Sequence, residues 1–163
     1  MTVDEIISLL QLQPHPKESG FFAETYRSAA TLTSAAGQRN LTTAIFYLLT
    51  AEAFSEMHRL PGDEIFHFYL GDPVEMLQLH ADGSSEVIVL GADIPAGMTL
   101  QHVVAGGVWQ GARLKKGGAF ALLGTTMSPG FDYEDYVSGK AEDLIRNWPQ
   151  RAEMIRALTR IWM

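Results

Sequence analysis

Between Phe21 and Met127 the chain repeats one local pattern: a short run rich in aromatic, β-branched and aliphatic residues, then a break. The runs are FFAETYRS, TTAIFYLLT, EIFHFYL, VEMLQLH, SSEVIVLG, QHVVAGGVWQGARL and AFALLGTTM, and breaks fall at Gly62-Asp63, Gly71-Asp72-Pro73, Asp82-Gly83 and Gly117-Gly118. Many short strands at near-regular spacing describe an antiparallel sandwich or barrel. No long helical segment separates them, which argues against a parallel α/β sheet.

Helical periodicity is confined to the two ends. Thr2 and Glu5 have capping-box spacing ahead of an apolar face, predicting a helix over about 3–12 that Pro14 and Pro16 stop. The residues between there and Gly20 read as a connector. KAEDLIRNW and PQRAEMIRALTRIW predict helix over about 140–161, with Ile145, Trp148, Ile155, Leu158 and Trp162 packing on the β-body or on a partner chain. With no internal repeat or linker, residues 1–163 are expected to form a single domain with its barrel over about 21–137.

At 163 residues the chain is long enough for one large core. Its net charge of −7 repels a phosphate backbone, so nucleic acid is not an expected partner. With no cysteine it has neither disulfides nor thiolate metal ligands. The start lacks the basic flank and apolar core of a signal peptide, and no apolar run approaches the ~20 residues that cross a bilayer. A cytoplasmic, membrane-free protein is expected.

Chemistry concentrates in FSEMHRLPGDEIFHFYLG, residues 54–71. Ionisable groups among Phe, Ile and Leu either satisfy one another or face a concave wet site, since burying them unpaired costs roughly 1–3 kcal/mol each or more. Strand parity puts Glu64, Phe66 and Phe68 on one face and Ile65, His67 and Tyr69 on the other. With both faces mostly apolar, the strand is expected to be covered on both sides, Glu64 inward and His67 outward. His58 and Glu64 flank the Pro61-Gly62 turn, so a hairpin would bring them together. Such a pair can do acid–base work, bind a metal, or be structural, and the residues alone leave all three open.

These phrases resemble the cupin superfamily, whose first motif runs G-x5-H-x-H-x3,4-E-x6-G. Residues 58 to 71 match it as His58, then Leu60, then Glu64, then Gly71. VVAGGVWQGA is a partial counterpart of the second motif, with Gln110 at the histidine place. The chain is more similar still to a family of small single-domain cupins of unknown function, through HPKESGFFAETYRS, TAIFYLLT, MHR, DEIFHFYLG, VVAGGVWQ and SPGFDY. The resemblance implies an all-β fold, a double-stranded β-helix or jelly-roll barrel with short N- and C-terminal helices. It also implies a homodimer and a small polar ligand in the barrel.

The departures bear on function. A metal-binding cupin offers three histidines and a glutamate, whereas here Leu60 and Gln110 replace two of them. Leucine cannot ligate, an amide oxygen is a weak ligand, and two strong ligands fall short of the usual three. No tightly bound cofactor is therefore expected, with a divalent metal held weakly by His58 and Glu64 as the alternative. Three readings stay open. The first is a metal-independent sugar or sugar-nucleotide isomerase or epimerase, with His58 as base, Glu64 orienting it and Tyr47 as acid. The others are a non-catalytic binding module and a weakly metal-dependent enzyme.

Gln110, Phe66, Phe68, Thr43 and Trp109 are the candidate ligand contacts, although barrels need such aromatics as filling too. His15, which the family resemblance picks out, is expected to close one end of the barrel or to cap the pocket. His80 and His102 read as solvated, Arg59 and Asp63 as an exposed rim pair, and Asp132, Glu134 and Asp135 as acidic surface.

Overall fold

The computed structural model describes residues 1–160. Its strands run in chain order as β1 (Gln13–Pro14), β2 (Phe21–Arg27), β3 (Thr31–Ser34), β4 (Gly37–Asn40), β5 (Thr43–Thr50), β6 (Phe54–Arg59) and β7 (Glu64–Gly71). They continue as β8 (Val74–Leu79), β9 (Ser85–Leu90), β10 (Gln101–Val104), β11 (Trp109–Leu114), β12 (Phe120–Met127) and β13 (Val137–Ser138). Helix α1 (Val3–Leu9) precedes them, and α2 (Ala141–Asn147) and α3 (Ala152–Ala157) follow.

The body is one long antiparallel ribbon wound on itself. β8 pairs with β9 across the turn at Asp82-Gly83, where Gly83 adopts φ 87°, a conformation that side chains resist. Moving outward, β7 pairs with β10, β6 with β11 and β5 with β12. Each outward step changes sheet. The result is a six-stranded sheet, β1-β2-β5-β12-β7-β10, facing a five-stranded one, β13-β6-β11-β8-β9. This is the expected double-stranded β-helix. Short 3-10 turns at Ile94–Ala96 and Tyr133–Asp135 add helical character between strands.

Three apolar layers follow from strand parity. Between the sheets lie Leu49, Phe66, Phe68, Met76, Leu114 and Leu123. Ile6 and Leu12 cover Leu48 and Leu122 on the outside of the six-stranded sheet. Leu144, Trp148, Ile155 and Leu158 cover Met57, Leu77 and Leu79 on the outside of the five-stranded sheet. Strand β7, next to the edge strand β10, is thus covered on one face by the core and only partly on the other, with Ile65 and His67 half-buried and Tyr69 exposed.

The ends differ from their sequence reading. Helix α1 keeps its capping box but stops at Leu9, because Gln11 turns left-handed (φ 53°) and returns Leu12 to the layer under Ile6. The C-terminal helix is broken: Trp148 leaves helical geometry, and Pro149–Arg151 form a 3-10 turn before α3. The expected helix end at residue 161 and the packing of Trp162 lie outside the described residues. The β3–β4 hairpin has no counterpart among the expected strands, because its polar residues carry no apolar alternation.

The β6–β11 ladder is irregular beside the cavity end of the sandwich. Gln110 faces His58 and Ala112 faces Ser55, so Glu56 and Met57 together stand opposite Gly111. Such a bulge re-aims the side chains around it. It also frees main-chain groups, and these are satisfied from the C-terminal segment: Met57 N donates to Leu158 O at 2.7 Å, and Gly139 N donates to Met57 O at 2.7 Å.

Candidate functional site

The sandwich holds a cavity of about 70 Å³ at one end, lined by His15, Glu18, His58, Leu60, Glu64 and Phe131 among others. That is room for roughly five waters. Tyr47, Ser55, Phe66 and Thr125 line a smaller recess that shares His15, Glu18, His58 and Glu64 with it. Glu64 enters from the start of β7, its parity inward as expected, and His58 enters from the bulged β6.

His58 and Glu64 meet, but not by the hairpin route. β6 and β7 belong to opposite sheets, so the Pro61-Gly62 segment is a crossover and the two residues face one another across the sandwich. The turn expected from the sequence is present. It is a change of sheet rather than a hairpin, and the two look alike in a local stretch.

Main-chain groups fix the imidazole of His58. Its Nδ1 lies 2.7 Å from the Glu56 carbonyl oxygen, which can only accept, so Nδ1 carries the hydrogen and Nε2 is the acceptor whenever the ring holds a single hydrogen. The ring stacks on Tyr136 at 4.7 Å with planes 15° apart, and Tyr136 Oη in turn donates to Glu56 Oε1 at 3.1 Å. The orienting partner of His58 is therefore the Glu56 carbonyl, not Glu64.

His15 has the opposite polarity. The backbone N–H groups of Lys17 and Glu18 donate to its Nδ1 at 3.2 and 2.8 Å, so Nδ1 is bare and Nε2 carries the hydrogen. Burial pushes its pKa down, against the opposing pull of Glu18. Protonating Nδ1 would also forfeit both backbone bonds. One histidine of the cavity thus accepts and the other donates. No sequence signal marks this: HPKES looks like a connector, and only the 15–18 turn makes His15 a donor.

Glu64 is buried, and burial raises its pKa, with His58 pulling the other way. Gln110, across the ladder from His58, donates Nε2 to Glu64 Oε2 at 2.8 Å. Its amide is engaged there and stands behind the carboxyl. Tyr47 is equally committed, donating its hydroxyl to Ser19 O at 2.8 Å and Glu18 Oε2 at 3.1 Å. Burial, then Glu18, pushes its pKa well up, so it holds its proton too tightly for an acid at neutral pH.

The other candidates divide. Thr43 lines the cavity, its Oγ1 accepting from Phe131 N at 2.8 Å, and Phe66 lines the recess. Phe68 lies in the core. Trp109 has the opposite parity to Gln110, so it packs toward the C-terminal helices under Arg59, whose guanidinium sits 4.8 Å from its ring centre. Asp63 accepts from Gly106 N, so Arg59 and Asp63 serve separate partners. Asp135 is not simply acidic surface: it receives two hydrogen bonds from Arg39, at 2.8 and 2.9 Å, which tie the β3–β4 hairpin to the segment after β12. His102 is half-buried and bonds to Gln78, whereas His80 pairs with Glu86 at the surface. His67 is on the outer face, bonded to Thr126 and Gln101.

A family model described as cupin superfamily (DUF985) matches residues 4–138. The chain belongs to that family. An uncharacterised protein of Saccharomyces cerevisiae is 29% identical to this cupin over 160 residues, covering 90% of this chain and 79% of its own. A solved structure of a hypothetical protein from Leishmania major superposes with TM-score 0.91 at 29% identity, covering 99% of this chain and 100% of that one. Another, from Shewanella oneidensis, gives 0.90 at 30% identity, with 99% of each chain covered.

Cupins can hold a metal inside the barrel, so the donor set here needs weighing. Leu60 lines the cavity as an apolar wall, and Gln110 turns its amide NH₂, a donor, toward Glu64. Among the described residues no three His, Asp or Glu side chains converge as a metal centre requires. This cupin's cavity does not fit a resident metal of the three-histidine kind.

Proposed function

We propose that this cupin is an isomerase- or epimerase-type enzyme that moves a proton at a carbon beside a carbonyl of a small polar substrate. The single observation that carries the reading is the opposed polarity of the two imidazoles around one cavity. His58 Nε2 is an acceptor held in place by the Glu56 carbonyl and by Tyr136, as a general base should be. His15 Nε2–H is a neutral donor suited to the carbonyl oxygen, where negative charge develops as the proton leaves. Glu64, its pKa raised by burial, is suited to return a proton on the other side. The reaction balances without a co-reactant: the C–H proton goes to His58, a proton from Glu64 or from His58 reaches the product carbon or oxygen, and where Glu64 donates, the proton left on His58 returns to Glu64 through solvent.

The test is hydrogen–deuterium exchange at carbon, followed by NMR in D₂O on small hydroxy- and amino-ketones and aldoses. His58→Ala should abolish protein-dependent exchange and retain a cooperative thermal transition. Exchange that survives in His58→Ala, or is absent with the unmodified protein on every compound, would refute the proposal and leave a binding module.

A further inference from the structure

The charge on the cavity wall says what the ligand is not, and then what it is. Two carboxylates line it, Glu18 and Glu24, beside the buried carboxyl of Glu64, and among the described residues the one guanidinium in its wall is Arg27. Arg27 has little left to offer an anion. Its Nε and Nη2 donate to the two oxygens of Glu24 at 2.9 and 2.7 Å, and its Nη1 donates to Asn40 Oδ1 at 2.8 Å and to Phe131 O at 3.2 Å. His15 cannot take up positive charge without losing its two backbone donors. A phosphate or nucleotide in this cavity would meet carboxylates and, among the described residues, no free cation.

Glu18 is the second observation. It is only 9% exposed, yet one oxygen accepts from Tyr47 and no other side-chain hydrogen bond reaches it among the described residues. The rings of Phe22, Phe131 and Tyr133 line the same cavity, the last two edge to face at 4.9 Å. Burial first, and then Glu18, pushes up the pKa of the Tyr47, Tyr133 and Tyr136 hydroxyls. A buried carboxylate beside aromatic faces attracts an organic ammonium group through charge and ring quadrupoles together.

Resting on the proton-transfer reading above, we infer that the substrate class is a small carbonyl compound bearing a protonated amine, its ammonium group between Glu18 and the rings of Phe131 and Tyr133. The carbonyl then lies toward His15 and His58, deeper in the cavity.

Calorimetric titration of three small ketones that differ in charge tests this: aminoacetone, hydroxyacetone and dihydroxyacetone phosphate. Aminoacetone should bind roughly tenfold or more tighter than hydroxyacetone, and its affinity should fall as salt is added. Dihydroxyacetone phosphate should bind weakest. Glu18→Gln, whose amide oxygen still accepts from Tyr47, should erase the preference for the amine. Phe131→Leu, which keeps the main-chain bonds of residue 131, should reduce it, so the test does not hang on one variant folding. Equal affinity for the amine and the alcohol, tighter binding of the phosphate, no binding of aminoacetone at all, or a preference that survives Glu18→Gln would each overturn the inference. Glu18-dependent amine binding with no carbon exchange would sink the proton-transfer reading alone. Exchange on hydroxyacetone with no preference for the amine would sink only this one.

Discussion

Replacing Gly111 by alanine should destabilise the protein and disturb the site without altering a cavity side chain. Gly111 faces the β6 bulge, and a Cβ there would lie 2.7 Å from Met57 Sδ, 3.2 Å from Met57 N and 3.2 Å from Ser55 O. The sulfur is the end of a flexible side chain, but Met57 is fully buried against the C-terminal helices and has no free space to enter. The other two contacts are main chain, so the bulge itself must yield by a few tenths of an ångström. Overpacking of this kind costs about 1–3 kcal/mol. Against it, alanine restricts the unfolded chain and returns about 0.4–1 kcal/mol. At mid-range the steric term wins, leaving a net loss of about 1 kcal/mol, or roughly 2–4 °C in Tm for a domain of this size. Urea unfolding measures the first and calorimetry the second. The same strain displaces His58, next on the strand, so its imidazole resonances should shift relative to those of His80 at the surface. A Tm equal to or above the unmodified protein's would refute the idea that a tight bulge aims His58.

Two further outcomes are expected. The Glu64 carboxyl has a folded-state pKa raised above its ordinary 4.5 by burial, so between those two values the native state holds more protons than the unfolded one. Its contribution to stability is full below the unfolded value and is lost as pH rises through the folded value. Glu64→Gln cannot ionise and keeps an acceptor for Gln110, so its stability relative to the unmodified protein should grow as pH rises; parallel urea midpoints at every pH would contradict this. We further propose a homodimer formed through the outer face of the six-stranded sheet beyond α1, where Tyr69 and Val103 are half exposed. Light scattering should give twice the 18.0 kDa chain mass, and a monomer at micromolar concentration would count against it.

The fold is legible in the sequence because its signals are local. Turn residues and period-two alternation mark almost every strand of the wound ribbon, and parity alone orients Glu64, Phe66 and His67. What escapes depends on partners far away in sequence. The β6–β7 step reads like a hairpin, since nothing between Arg59 and Glu64 shows that the two strands go to different sheets. Trp109 and Gln110 look like two contacts for one ligand, although a strand sends adjacent side chains to opposite faces. The roles inside the cavity are the least legible. The polarity of His15 rests on two backbone N–H groups, the commitment of Tyr47 on Ser19 O, and that of Gln110 on Glu64. Each is a hydrogen bond whose existence no composition or spacing announces.

Fixing each ring's hydrogen through the main chain gives the cavity a direction. A guest that offers an acceptor at one end and an acidic hydrogen at the other fits in one sense only. Turned end for end, it would set lone pair against lone pair at His58 and hydrogen against hydrogen at His15. A site so wired presents one face of a planar carbonyl to its base, and in that way stereochemical choice can be written into peptide groups rather than into the side chains that perform the reaction.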